Sequence, residues 1–262
     1  MAKLLVLVGT GPGIGLSTAT LFASKGFNVA LLSRNAARLE EDAKQVGAAG
    51  QGKVKVMSFP VDVSDHVALK KTLGEVEQQI GKPEVVVFNA ARIAQSIIGE
   101  TSEEDIIGDF KVRGLFPELR QTLTKAKLMN IGQYVAASWA LPLLEEVAKE
   151  PGTHPSFFLN SSGVSYDPIP FMLSLSMMKA AQNNFLGSLA KVAGPKGVHV
   201  GRIDINGVVS DQEEVRNAKH IAEQLWELYQ QDKDKWSFVE DCGDMDGLLK
   251  SVGVESKRIV PA

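Results

Sequence analysis

The chain has 262 residues, 44% of them apolar and 23% charged, with a net charge of −3. That length suits one large α/β domain or two small ones, and the balance is that of an ordinary soluble globular protein. The near-neutral charge offers no excess of Lys and Arg for nucleic acid. The lone Cys242 forms no intrachain disulfide and fits a reducing compartment, the cytoplasm, while His66, His154, His199 and His220 are scattered without metal-ligand spacing.

The chain opens with "KLLVLVG". The apolar run is too short for a signal-peptide core, no stretch of about 18 apolar residues spans a membrane, and Leu4–Val8 reads as a first buried strand. Next comes "VGTGPGIGLS", crowded with Gly9, Gly11, Gly13 and Gly15 and leading through Ile14 into a helix. Glycines here let the chain turn sharply, let backbone amides approach a pyrophosphate and let helix pack close on strand. The helix N-terminus adds free N–H groups and partial positive charge. A glycine triplet alone is weak, and the bland alternative is a tight structural turn. Its place between the first strand and first helix of a βαβ unit favours dinucleotide binding.

Gly26 closes that helix, and "FNVALLS" is the second strand. Dinucleotide-binding proteins that prefer NAD commonly place an acid at the end of this strand, on the ribose 2′-OH. This chain has Ser33 and Arg34 there, and a guanidinium suits a 2′-phosphate. We therefore expect NADP(H) in preference to NAD(H); the alternative for Arg34 is a solvated surface residue. Asn35 is placed to cap "AARLEEDAKQV". "KVKVMSFPVDV" is a third strand, Ser64 the expected cap of "HVALKKTLGEVEQQIG", and "PEVVVFNAA" a fourth strand. After a long helical region, "PSFFLNSSG" and "VHVGRIDING" read as the fifth and sixth. Alternating strands and helices predict a parallel sheet with right-handed crossovers: one α/β domain over 1–262, a Rossmann-type doubly wound sheet.

The order "GTGPGIG", "VDVSD", "FNAA", "NSSG", "SMMKAA", "ING" resembles the short-chain dehydrogenase/reductase family over roughly residues 3–210. The resemblance implies that Gly9, Gly13 and Gly15 are the cofactor-loop glycines, with Val8 replacing the usual Thr. Asp62, with Val63, would lie beside the adenine. Asn89, Ala90 and Ala91 match the motif that steadies the central sheet, and Asn206–Gly207 replaces the Pro–Gly beside the nicotinamide. Ser162 stands at the family's distance ahead of Lys179 for the catalytic serine, with Ser161 its rival. In the family a tyrosine one turn before the lysine protonates a carbonyl oxygen as hydride arrives at carbon, and the lysine lowers that tyrosine's pKa. Here the tyrosine position is Leu175, which neither donates nor accepts a proton. Tyr166 or Asp167 in the loop after Ser162, Tyr134, Ser176, or a water on Ser162 and Lys179 are the replacements to test. An atypical branch that is similar in "GPGIG", in "SLS" ahead of the lysine and in a tail helix, here "EQLWELYQQ", also lacks the tyrosine.

The family's active-site asparagine matches Asn130, with Lys111 the other alignment. The surplus at 112–129 reads either as an extra helix starting near Pro117 or as a translated intron. The tail, 208–262, occupies the place of a substrate lid; within it "IAEQLWELY" is amphipathic, and Ile221, Leu225, Leu228 and Tyr229 could equally be core. An edge strand is expected near Trp236 to Val239. The sequence thus points to an NADP(H)-dependent carbonyl reductase or alcohol dehydrogenase of a small organic substrate, using Ser162, Lys179, Asn130 and Tyr166, without metal, nucleic acid or membrane. Family habit implies a homodimer or homotetramer. The alternative is a cofactor-binding relative with no ordinary redox turnover.

Overall fold

A computed structural model of the chain describes residues 3–91, 93, 95–98, 100–101 and 130–256. The supposed insertion at 112–129, Lys111 and Pro117 lie outside the described residues. Seven strands form one parallel sheet in the order β3-β2-β1-β4-β5-β6-β7: β1 Leu4–Val8, β2 Asn28–Ser33, β3 Val56–Pro60, β4 Val85–Phe88, β5 Ser156–Ser161, β6 His199–Ile205 and β7 Val239–Cys242. The helices are α1 Ile14–Ser24, α2 Ala36–Ala49, α3 His66–Gln79, α4 Gly132–Val147, α5 Leu173–Ala193, α6 Ala218–Gln230 and α7 Met245–Ser251. This is the doubly wound sheet that the sequence pattern predicts.

The central strands are buried on both faces, which is why β1 and β4 read as unbroken apolar runs rather than alternating ones. Leu4, Val6, Val8, Phe157 and Leu159 face one core with helix residues such as Leu73, Leu144 and Leu186. Leu5, Leu7, Val29, Phe158 and Ile203 face the other, with Phe22, Leu39 and Leu225. The strand order reverses between β1 and β4, and the carboxyl ends of the strands there are where such sheets bind ligands.

Local signals act as expected at two helix ends. Gly26 takes φ +91°, and the Gly26 and Phe27 amides donate to Ala23 O and Phe22 O at 2.9 and 3.1 Å. The same turn sets the Phe22 and Phe27 rings edge to face at 5.2 Å, so the cap is also a core contact. Asn35 accepts from the Arg38 amide at 3.1 Å. At α3 the expectation fails: the cap is Asp65, whose Oδ1 accepts from Val67 N and Ala68 N. Ser64 instead donates its hydroxyl to Asp62 Oδ1 at 2.7 Å. A carboxylate one residue closer to the helix outcompetes a hydroxyl for the first-turn amides.

The tail also resolves. The edge strand is Val239–Cys242, starting where the expected one would end. On α6, Ile221, Leu225, Leu228 and Tyr229 are buried against α1, with Trp226 at 5.1 Å from Phe22, so this face of the helix is core. The Tyr229 hydroxyl donates to Glu84 Oε1 at 2.7 Å while Lys3 lies 3.1 Å from the same oxygen. Burial and the Glu84 carboxylate both raise the phenol's pKa. Tyr229→Phe removes this donor from a buried carboxylate, and urea denaturation should show a loss of about 1–2 kcal/mol.

Candidate functional site

The loop after β1 is built around close approach. Gly9 takes φ +95°, and a Cβ there would lie 2.6 Å from the Ala90 amide nitrogen, so the loop can cross the end of β4 only as glycine. The Gly9 and Thr10 amides both donate to Leu32 O, at 2.9 and 2.8 Å, pinning the loop to β2. A Cβ at Gly15 would stand 3.1 Å from Thr10 Cα and 3.3 Å from Asn89 Nδ2, which sets how near α1 sits to β1 and β4. At Gly11 and Gly13 the opposite holds: among the described residues no atom beyond the adjoining chain lies within 4 Å of the Cβ position. That open space lies over the start of α1, where no side chain caps the helix. Free amides, helix-terminal positive charge and room for phosphate oxygens together fit a dinucleotide's pyrophosphate. Ile14 begins the helix and packs its side chain on the core beneath. Ser33 is half-buried at the end of β2 and Arg34 is exposed beside it. Asp62 accepts from the Ser64 amide and hydroxyl, and Val63 is buried in the core under it.

Asn89 carries the loop's connection to the rest of the site. Its Nδ2 donates to Gly9 O at 2.8 Å, and its Oδ1 accepts from Asn160 Nδ2 at 2.8 Å. Ala90 is buried under the loop and Ala91 exposed beyond it. The carbonyl of Asn160 in turn accepts from Lys179 Nζ at 2.9 Å. One hydrogen-bonded line therefore runs from the glycine loop through β4 and β5 to α5. Lys179 is 4% exposed. Burial pushes its ammonium down to about 8, against the upward pull of Asp204. Only one of its three N–H donors is engaged among the described residues.

Asn130 sits in the π turn that opens α4 and touches Met178, the neighbour of Lys179, through Nδ2 and Sδ at 3.5 Å. The Oδ1 atoms of Asn130 and Asn160 are buried without a hydrogen-bond partner among the described residues. Ser162 is half-exposed and begins the short 3-10 turn Gly163–Ser165. Its rival Ser161 is buried and donates to Asn183 Oδ1 at 2.7 Å, and Asn183 donates on to Ser165 Oγ at 2.6 Å. Ser161 is thus committed to holding the loop, while the half-exposed Ser162 accepts from the Val164 amide at 3.5 Å through Oγ.

Leu175 is 8% exposed and packs with Val164, Ile169, Met178, Met245 and Leu249. The position at which the family resemblance implies a tyrosine lies in a small apolar core that joins α5, the loop after β5 and α7. Ser176 accepts from the Ile169 amide at 3.4 Å and so serves the same loop. Tyr134 is exposed, 5.9 Å from the Phe185 ring, on the outside of α4. Asp167 accepts from Ser256 at 2.7 Å. The Tyr166 hydroxyl lies 2.9 Å from the Cβ position of Gly163, beside the turn that Ser162 begins.

Two residues of this region escaped the sequence reading. Asn183 follows Lys179 by one helical turn, so its place on the same face was legible from spacing. The second is Asp204, fully buried on β6 and paired with Arg202. Asn206, singled out in the sequence, is 1% exposed and joins three strand ends: Oδ1 accepts from Gly163 N at 2.8 Å, and Nδ2 donates to Asp241 Oδ1 and Gly243 O at 3.1 and 3.2 Å. Gly207 follows with φ +139°, its Cβ position 3.0 Å from the Arg216 side chain.

Residues 3–126 match the family model described as short chain dehydrogenase. The meso-2,3-butanediol dehydrogenase of Serratia marcescens is 36% identical over 104 residues, 39% of each chain. A short chain dehydrogenase of Pseudocercospora fijiensis is 28% identical over 198 residues, 75% of this chain and 56% of that one. The chain therefore spans between two fifths and somewhat over half of these relatives' lengths. Among solved structures, the NADPH-bound short chain oxidoreductase of Pseudomonas aeruginosa, described as containing an atypical catalytic center, superposes with a TM-score of 0.76 at 21% identity, covering 91% of this chain and 94% of that one.

Proposed function

We propose that this chain, a short-chain dehydrogenase/reductase by its matching portion and its fold, binds NADP(H) across the β1–β4 crevice and reduces a carbonyl group of a small organic substrate. The observation that carries the reading is the continuous line from the open glycine loop through Asn89 and Asn160 to a buried lysine. A bound nicotinamide would supply the hydride. In this reading Gly9, Gly11, Gly13, Ile14 and Gly15 hold the pyrophosphate, and Asp62, Val63, Ala90, Ala91 and Gly207 border the cofactor. Lys179 holds the nicotinamide ribose, and Asn130 Oδ1 is a ready acceptor for a sugar hydroxyl or bridging water. Ser162 orients the substrate oxygen. Lys179 and Tyr166 are the two groups able to protonate that oxygen.

Ser33 and Arg34 meet the 2′-phosphate. An exposed arginine and a half-buried hydroxyl at the β2 end, in the positions where an NAD-preferring chain carries an acid, favour NADPH over NADH. Arg34→Asp should reverse that order, weakening NADPH by about tenfold or more in a fluorescence titration. Tighter binding of NADH by the unaltered protein would refute the preference.

The packing of Leu175 favours one second reading, a protein that binds the cofactor and does not turn it over. Loss of NADPH absorbance against a panel of aldehydes and ketones separates the two. Saturable nucleotide binding with no turnover across the panel would decide for the second.

A further inference from the structure

Arg202, Asp204 and Lys179 form a buried cluster of charge directly under the candidate site. Arg202 and Asp204 are two apart on β6 and so face the same side of the sheet. The guanidinium grips the carboxylate with two hydrogen bonds, Nε to Oδ1 at 2.9 Å and Nη2 to Oδ2 at 3.1 Å, and stands 5.1 Å from the Phe238 ring centre. Their side chains are 10% and 0% exposed. Asp204 lies opposite Ser161 in the β5–β6 register, and Lys179 binds the carbonyl of the residue before Ser161. The ammonium therefore sits level with the Asp204 carboxylate, and each shifts the other's protonation toward the charged form.

A buried ion pair rarely adds stability over an apolar pair of similar volume. The polar groups that flank Asp204 in the sheet, Ser161 on β5 and Asp241 on β7, have partners of their own, Asn183 and Asn206. A third charge beside the pair makes a structural explanation weaker still. We infer that Asp204, clamped by Arg202, is a positioning residue that holds Lys179 as a buried ammonium, and that this ammonium delivers the proton which a tyrosine at position 175 would otherwise supply. The inference rests on the reductase reading above. The carbonyl carbon accepts the hydride, the π pair moves onto oxygen, and an N–H bond of Lys179 breaks as the new O–H bond forms. The amine left behind recovers its proton from solvent.

Other charged or titratable groups near the pair are few among the described residues. Asp241 of β7 stands opposite Asp204 and opposes its ionisation. In the loop after β5, Asp167 is engaged by Ser256 and Tyr166 lies against Gly163.

The test begins on the full chain without nucleotide. In protein labelled with 13C at lysine Cε, the resonance lost in Lys179→Met is assigned to Lys179 and titrated by NMR. It should titrate near pH 8. Asp204→Asn should move that midpoint down by about one unit, because the removed negative charge favours the ammonium. The pair Arg202→Met with Asp204→Asn leaves no unpaired guanidinium on β6 and should move it in the same direction. A midpoint that stays in place in both variants overturns Asp204's role.

Steady-state reduction of a carbonyl with NADPH is then followed against pH. Rate should fall as the ammonium is lost, and in Asp204→Asn the alkaline limb should follow the NMR midpoint, roughly a tenfold loss of kcat above both midpoints with KM for NADPH little changed. A limb that ignores Asp204→Asn and vanishes in Tyr166→Phe assigns the proton to Tyr166 and overturns the proposal while leaving the reductase reading intact. An unaltered protein that binds NADPH yet reduces nothing overturns the reductase reading and proton delivery together, with the NMR titration still judging Asp204.

Discussion

Arg202→Met will lower the free energy of unfolding by about 3–5 kcal/mol, because it strips a fully buried carboxylate of the two hydrogen bonds and the charge that pair it directly. Methionine fills much of the same volume and reaches the same Phe238 ring, so the loss reports charge rather than a hole. Adding Asp204→Asn should recover most of it, since an unpaired charge costs far more than a missing pair. The pH dependence has a definite sign. Burial already raises the Asp204 pKa, and Arg202 is what opposes that rise. Without Arg202 the folded-state pKa of Asp204 rises further above its unfolded value of about 4. Folded protein then binds more protons than unfolded, so stability falls as pH rises and the defect shrinks in acid. Urea denaturation at pH 5 and pH 8 measures both effects. Equal stability of Arg202→Met and the unaltered protein at pH 8 would show that the carboxylate is not desolvated as the structure requires.

Gly9→Ala should cost about 3 kcal/mol of nucleotide affinity, on the order of 100-fold in Kd, together with a lower melting temperature. Two causes combine. The new Cβ must sit 2.6 Å from the Ala90 amide nitrogen, a backbone atom that cannot swing away, and φ +95° is a region that side chains avoid. Relief requires the loop to lift, which breaks the Gly9 and Thr10 bonds to Leu32 O and moves the amides that face the phosphates. Gly11→Ala is the control with the opposite signature. Among the described residues its Cβ meets no atom beyond the adjoining chain within 4 Å, so melting should hardly change, while calorimetry should show weaker NADPH binding because the methyl enters the ligand's space. If both variants bind NADPH as tightly as the unaltered protein, the dinucleotide is not held by this loop.

Much of the architecture was readable from local pattern. The apolar runs of β1 and β4, the glycines of the first turn, the Asn35 cap and the Gly26 stop each depend on short-range sterics and hydrogen bonding, which sequence order reports directly. Ser64 and Asp65 show the limit of that reading. Either residue can cap, and only the fold sets which side chain meets the first amides of α3.

The site divides in the same way. From its own order of residues the chain determined a doubly wound sheet, a glycine-crowded turn after its first strand, and a leucine at position 175. Those features are written in residue type and spacing. The tertiary structure decided what surrounds them. It sealed Leu175 into an apolar cluster, packed α6 on the core, committed Ser161 to Asn183 and set Asp204 opposite Ser161, next to the carbonyl that Lys179 binds. Each of these joins residues far apart in the chain across different elements. Burial and Coulomb interaction depend on distance in space, and no periodicity along the chain encodes that distance.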